Sequence, residues 1–119
     1  MKPHKNLLAW IRSFEVVKEI YIYTNAFPQD ERFGLTSQIR RAAVSGPVNV
    51  AEGAARKGSK EFIQFLYISL GSATELDTLI LLSSDLGYIP IDEANKIVEK
   101  LDHITKLIYG LIKKKERDT

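Results

Sequence analysis

Residues 35–56, Leu-Thr-Ser-Gln-Ile-Arg-Arg-Ala-Ala-Val-Ser-Gly-Pro-Val-Asn-Val-Ala-Glu-Gly-Ala-Ala-Arg, restrict the possible folds more than any other stretch of the chain. Leu35, Ile39, Ala42 or Ala43, Gly46, Val50 and Gly53 recur at helical spacing, so the segment reads as a helix with one inner face. Gly46 and Pro47 nevertheless stand in its middle. Proline has no backbone N–H and its ring crowds the carbonyl four residues back, here Ala43, at a cost of ~3 kcal/mol. A helix bent at Gly46-Pro47 is expected. Ala42, Ala43, Ser45, Gly46, Ala51, Gly53, Ala54 and Ala55 keep its surface small, which lets another backbone approach closely. This predicts the most tightly packed helix of the fold.

The other apolar patterns are helical too. A first helix is predicted over about residues 6–24, with Leu7, Trp10, Phe14, Val17 and Tyr21 as its buried stripe and Val16, Ile22 and Tyr23 left outside it. Asn25-Ala26-Phe27-Pro28 ends it, with Phe27 anchoring the turn, because the residue before a proline avoids the helical region. Residues 29–34 form a connector with room for one helical turn. Gly53 and Gly58 both suit the end of the second helix. A third helix starts with Ser59 as cap and runs to about Leu86, with Gly87 just beyond its end. Its main stripe is Phe62, Leu66, Ser69, Ala73, Leu76 and Ile80. Ile63, Phe65, Tyr67, Ile68, Leu70, Leu79, Leu81 and Leu82 extend the apolar surface, so burial on more than one side is expected. Asp92 is the expected cap of a fourth, one-sided helix carrying Ala94, Ile97, Val98, Leu101, Ile104, Leu107 or Ile108, Leu111 and Ile112. No segment reads as a strand. Short connections make successive helices antiparallel, which predicts an all-α, up-down-up-down four-helix bundle as a single domain over residues 1–119. The third helix and the end of the first carry more apolar surface than one bundle core consumes, and monomers rarely expose such patches. A homo-oligomer is expected.

The residues exclude several chemistries. Cysteine is absent, which removes disulfides and thiolates and fits a reducing compartment. No secretory h-region follows Lys2, and the run Leu79-Ile80-Leu81-Leu82 is far too short to span a bilayer, so a soluble, cytoplasmic protein without a membrane partner is expected. No Gly-rich phosphate loop, His-x-x-x-His or Glu-x-x-His occurs, so no cofactor, no metal and no catalytic constellation is expected. His4 and His103 read as surface histidines, and Glu75, Asp77 and Asp85 as solvent-facing or paired between helices. The net charge is only +2. Its distribution is uneven: between residues 35 and 60 lie Arg40, Arg41, Arg56, Lys57 and Lys60 against the single acid Glu52. Lys113, Lys114, Lys115 and Arg117 form a second basic zone, which taken alone reads as a solvated helix end and tail. Arginine makes forked contacts with phosphates, so the first five are the candidate nucleic-acid-binding residues. Their other reading is structural: Arg56 pairs with Glu52 four residues earlier, and Arg40 or Arg41 with acids across a subunit interface. The five tyrosines, Tyr21, Tyr23, Tyr67, Tyr88 and Tyr109, offer stacking faces but are spaced as core edges.

Phe33-Gly34-Leu35-Thr36-Ser37-Gln38-Ile39-Arg40-Arg41-Ala42-Ala43-Val44-Ser45, followed by Pro47, Asn49, Ala51-Glu52-Gly53 and Arg56, and then by Glu61-Phe62, Phe65-Leu66, Leu70-Gly71-Ser72, Glu75-Leu76 and Leu86-Gly87-Tyr88-Ile89, resembles the 23S rRNA intervening-sequence proteins, also called the S23 ribosomal protein family. The likeness extends from Trp10 to Ile112. It implies a bacterial four-helix bundle that assembles as a homopentamer around a central channel. A related protein is the accessory variability determinant of diversity-generating retroelements, a basic pentamer that binds nucleic acid and works with a reverse transcriptase. The resemblance therefore implies RNA or DNA and such an enzyme as partners, and it carries Arg40, Arg41 and Arg56 over as nucleic-acid candidates. Lys57 and Lys60 rest on local charge alone. Gly46 departs from the family pattern, which more often has a branched apolar residue before the proline. An accessory nucleic-acid-binding protein without catalysis is the first functional expectation, and a structural or protein-interaction scaffold is the second.

Overall fold

A computed structural model describes residues 2–118; the two end positions of the expected domain, 1 and 119, lie outside the described residues. Helix α1 spans Leu8–Thr24, α2 Leu35–Ala54, α3 Ser59–Asp85 and α4 Ile91–Arg117, with 3₁₀ turns at Pro3–Asn6 and Gln29–Glu31. No strand occurs among the described residues. Each helix packs on its neighbour in the chain and α1 also meets α4, while α1 and α3 sit diagonally, as in an up-down-up-down bundle. The molecule measures 46 × 23 × 22 Å. One apolar core runs along its axis, with Ile20, Ile39, Val50, Leu66, Ile80, Ile97 and Ile108 at its centre.

α2 and α3 form the most extensive contact, as the small residues of α2 predict. The reason is sharpest at Gly53. A Cβ there would come within 2.8 Å of both Phe62 Cδ1 and Phe65 Cβ, so only glycine permits this approach. Gly53 thus lies buried in the last turn of α2, one residue before its end at Ala54, and serves there as a packing residue. α2 runs unbroken through Pro47. The polar groups around that position are met by α3: Ser69 Oγ donates to the Gly46 carbonyl at 3.0 Å, and Ser72 Oγ to Ser45 Oγ at 2.7 Å. Gly46 borders a small interior void of about 20 Å³, also lined by Ala43, Ser69, Ala73, Leu101 and Ile104.

On α1 the expected stripe is wrong by one residue, about 100° of helix rotation. The buried face is Ala9, Ser13, Val16, Ile20 and Thr24, whereas Phe14 and Tyr21 are exposed and Trp10 is half-buried. Small residues face the bundle because they allow closer approach, and their hydroxyls need no partner helix. Ser13 Oγ donates to the Ala9 carbonyl at 2.6 Å, and Thr24 Oγ1 to the Ile20 carbonyl at 2.7 Å. The large rings stack outside instead, Trp10 on Phe14 at 5.0 Å.

The stripes of α3 and α4 are as expected, all of Phe62, Leu66, Ser69, Ala73, Leu76 and Ile80 being buried, with Ala94, Ile97, Leu101, Ile104, Ile108 and Ile112 opposite. Gly58, not Ser59, is the capping position of α3, and α4 begins with Ile91 after Pro90, which moves Asp92 and Glu93 into its first turn. Gly87 follows α3 with φ 84°, and its N–H and that of Tyr88 donate to the Ser84 and Ser83 carbonyls, both at 2.9 Å. This is the Schellman arrangement that glycine favours. Phe27 is buried against Tyr88, 5.4 Å between ring centres, and so anchors the α1–α2 turn on the α3–α4 turn. Tyr88 also donates to Glu31 Oε2 at 3.0 Å, a bond that raises its phenol pKa.

By length and composition alone α3 could cross a membrane, beyond what the run at residues 79–82 suggests. Ten of its residues are buried in the bundle, against α2 and α4.

Candidate nucleic-acid interface

Antiparallel packing sorts the charges by end. The starts of α1 and α3 and the ends of α2 and α4 meet at one end, where Pro3, Leu7, Arg56, Ser59, Lys114 and Lys115 line a common cleft of about 230 Å³. Residues 2–7, 52–61 and 113–118 bring nine basic side chains there (Lys2, Lys5, Arg56, Lys57, Lys60, Lys113, Lys114, Lys115, Arg117) against four acids, Glu52, Glu61, Glu116 and Asp118. The opposite end, residues 24–34 and 85–93, holds five acids (Asp30, Glu31, Asp85, Asp92, Glu93) and Arg32, with Arg40 of α2 bonded there to Thr24 and Asn25. A net charge of +2 therefore hides a strongly polarised molecule.

The structure divides the five sequence candidates. Arg56, Lys57 and Lys60 belong to the basic end. Arg40 and Arg41 lie on the first half of α2, ~22 Å away along the helix axis. The C-terminal lysines, which read as a separate tail in the sequence, instead continue α4 as regular helix and join Arg56, Lys57 and Lys60. Lys114, Lys115 and Arg117 also complement the negative end of the α4 dipole.

The individual environments differ. Arg56 is exposed, with Glu52 at 3.8 Å, Glu61 at 3.9 Å and the Phe65 ring at 4.7 Å. The Glu52 pair foreseen in the sequence is thus present, but exposed pairs of this kind contribute little and leave the guanidinium reachable. Lys57 and Lys60 are exposed and form no ion pair among the described residues. Lys115 sits over Phe62 and near Asp118 at 3.7 Å. Arg40 is held inside the chain. Its Nε donates to Thr24 Oγ1 at 2.8 Å, a second guanidinium nitrogen donates to Asn25 Oδ1 at 3.1 Å, and Cζ lies 4.5 Å from the Tyr21 ring centre. It pins α2 to the end of α1. Arg41, one residue on, points to solvent.

Two further groups stand outside the five candidates. Arg32 and Phe33 lie in the connector, and Phe33 is 90% exposed. No pattern flags an exposed aromatic in a turn. Asp77 on α3 is half-buried opposite Asp102 on α4, and its Oδ1 has no hydrogen-bond partner. Burial, and secondly the charge of Asp102, raise its pKa above the ordinary carboxylate value. No group of three or more His, Cys, Asp or Glu that could hold a metal occurs among the described residues. A wide groove of about 900 Å³ between α1 and α4 mixes Arg12, Lys18, Lys96 and Lys100 with Glu15, Glu19 and Glu99, so it offers an anion no consistent sign of charge.

A substantial apolar surface stays uncovered. Ile22 is 70% exposed on α1, and Tyr67, Ile68, Leu81 and Leu82 are exposed on α3. This is the surplus expected on the third helix and at the end of the first.

A protein of unknown function from the S23 ribosomal protein family of Bacteroides thetaiotaomicron VPI-5482 has a similar crystal structure: the TM-score is 0.81, with 25% sequence identity over 89% of this chain and 99% of that one. No curated protein matches this chain in sequence. The family model for the 23S rRNA-intervening sequence protein matches residues 5–110, nearly the whole bundle described above. With that match and the shared four-helix fold, the chain belongs to the 23S rRNA-intervening sequence protein family.

Proposed function

We propose that this protein is a non-catalytic, homo-oligomeric factor that binds nucleic acid through the basic end of its bundle. The observation that carries the reading is the convergence of Arg56, Lys57 and Lys60 with Lys113, Lys114 and Lys115 at one end, while the acids gather at the other. Such a surface recognises the phosphate backbone and little else, so binding is largely independent of sequence and steeply dependent on salt. Assembly repeats the patch. The uncovered apolar surface on α1 and α3 supports self-association, and the resemblance implies five copies. A reverse transcriptase as protein partner rests on that resemblance alone.

Arg40 supports a different role from its neighbours. Its bonds to Thr24 and Asn25, both neutral and within the chain, make it a structural residue of the α1–α2 contact, not the partner of acids across a subunit interface that its structural reading expected. The experiment is fluorescence anisotropy with labelled structured RNA and duplex DNA at about 50 and about 200 mM salt. Five phosphate contacts correspond to about a 500-fold loss of affinity over that fourfold rise. Lys57→Glu with Lys60→Glu should weaken binding without unfolding the bundle. Absence of binding to either probe at low salt would overturn the proposal.

A further inference from the structure

Away from the basic end, α1, the connector and the first half of α2 enclose an open groove of about 670 Å³. Three arginines line it, Arg32, Arg40 and Arg41, and no carboxylate does. Glu75 lines the adjoining depression together with Arg41, and Asp30 and Glu31 precede Arg32 in the connector. Two aromatic rings also line the groove: Tyr21, exposed, and Phe33, 90% exposed. Each ring carries a guanidinium on it, Arg40 over Tyr21 at 4.5 Å and Arg32 over Phe33 at 5.5 Å. At the base of the groove stands Thr36, only 6% exposed, whose hydroxyl has no hydrogen-bond partner.

These features select a ligand that is anionic, flat and able to hydrogen-bond. An apolar helix of a partner would leave the Arg32 and Arg41 guanidiniums unmatched, and a free phosphate would leave the rings unused. Duplex nucleic acid presents phosphates but keeps its base faces stacked. We infer that this groove seats an unpaired nucleotide of a single strand. Phe33 stacks on the base, and Arg32 and Arg41 contact the flanking phosphates. Arg40, fixed to α1, acts as a positioning residue that holds Tyr21 and the groove wall in place. Aromatic stacking combined with a cationic track is the general physics of single-strand binding. The inference rests on the nucleic-acid reading above and adds to it a preference for single-stranded over duplex substrate.

The test uses the full chain with a labelled 12-nucleotide single-stranded RNA and the same sequence as a blunt duplex. Phe33→Ala and Arg41→Gln change exposed residues, so both variants are expected to fold, which circular dichroism verifies. The expected result is single-strand affinity above duplex affinity, with each variant weakening single-strand binding about tenfold and leaving duplex binding unchanged. Retained single-strand affinity in both variants, when charge reversal at Lys57 and Lys60 still abolishes it, would overturn the groove and leave the basic end standing. No binding of any probe to the wild-type chain would overturn both. If Phe33→Ala changes the mass of the particle in solution rather than its RNA affinity, the groove is a contact between copies and the inference fails.

Discussion

Neighbouring arginines on α2 have opposite tasks. Arg40 bonds to Thr24 and Asn25 and lies on Tyr21, whereas Arg41 faces solvent. Arg40→Ala should therefore cost about 1 kcal/mol in urea unfolding, and Arg41→Ala less than about 0.5 kcal/mol. Gly46 is a second informative position. A Cβ there would meet only Ser69 Oγ, at 4.0 Å, and the backbone is not in the left-handed region. Gly46→Ala should stabilise the bundle by about 1 kcal/mol, read as a higher Tm by calorimetry, because it removes backbone freedom from the unfolded chain and adds atoms beside the interior void. Asp77 gives a pH signature. Its folded pKa is raised, so the folded state binds the proton more tightly than the unfolded one. Its stability contribution is present below the ordinary carboxylate pKa and is lost as pH rises through the raised value. Asp77→Asn should therefore raise Tm at pH 7, with the difference from wild type shrinking as the pH falls toward 4. At this scale Arg40, Arg41 and Arg56 were recognisable as charged residues of interest. The loose pair of Arg56 with Glu52, four residues back, was legible, but the tether of Arg40 to Thr24 and Asn25, 16 and 15 residues away, is encoded by no local pattern.

The helices themselves were largely legible, because the 3.6-residue period and the Gly and Pro punctuation dominate their ends. Gly87 closing α3 and the stripes of α3 and α4 follow from that logic. The face of α1 did not. The bulkiest residues suggested Trp10, Phe14 and Tyr21 as the buried side, yet Ala9, Ser13 and Thr24 are inside with Val16 and Ile20. Hydrophobic size predicts burial only when the partner helix stands far enough off to receive it. Here the small residues of α2 draw its neighbours in, so small and self-satisfied side chains win. Gly53 shows the same force from the other helix. Gly53→Ala would push a methyl group into Phe62 and Phe65 and should destabilise the protein by about 2–3 kcal/mol, seen as a lower denaturant midpoint. A Gly53→Ala variant of unchanged stability would show that α2 and α3 are not in such close contact.

For the whole molecule, topology decides what the sequence leaves apart. Arg56 and Lys114 are far apart in the chain but share one cleft, because α2 and α4 end on the same side. No local reading of charge could find this. It requires the direction of every helix at once. The same view makes self-association a statement about surplus apolar area on α1 and α3, and a particle mass above the 13.5 kDa of one chain is the expected outcome of light scattering. The central claim is that the basic end binds phosphate backbones. It is tested most directly by anisotropy of labelled structured RNA with the wild-type chain and with the Lys57→Glu, Lys60→Glu double variant, at about 50 and about 200 mM salt. The account predicts tight wild-type binding at low salt, a loss of about two orders of magnitude or more at the higher salt, and a weaker, flatter salt response in the variant. Equal affinity of wild type and variant, or no binding at low salt, would contradict it.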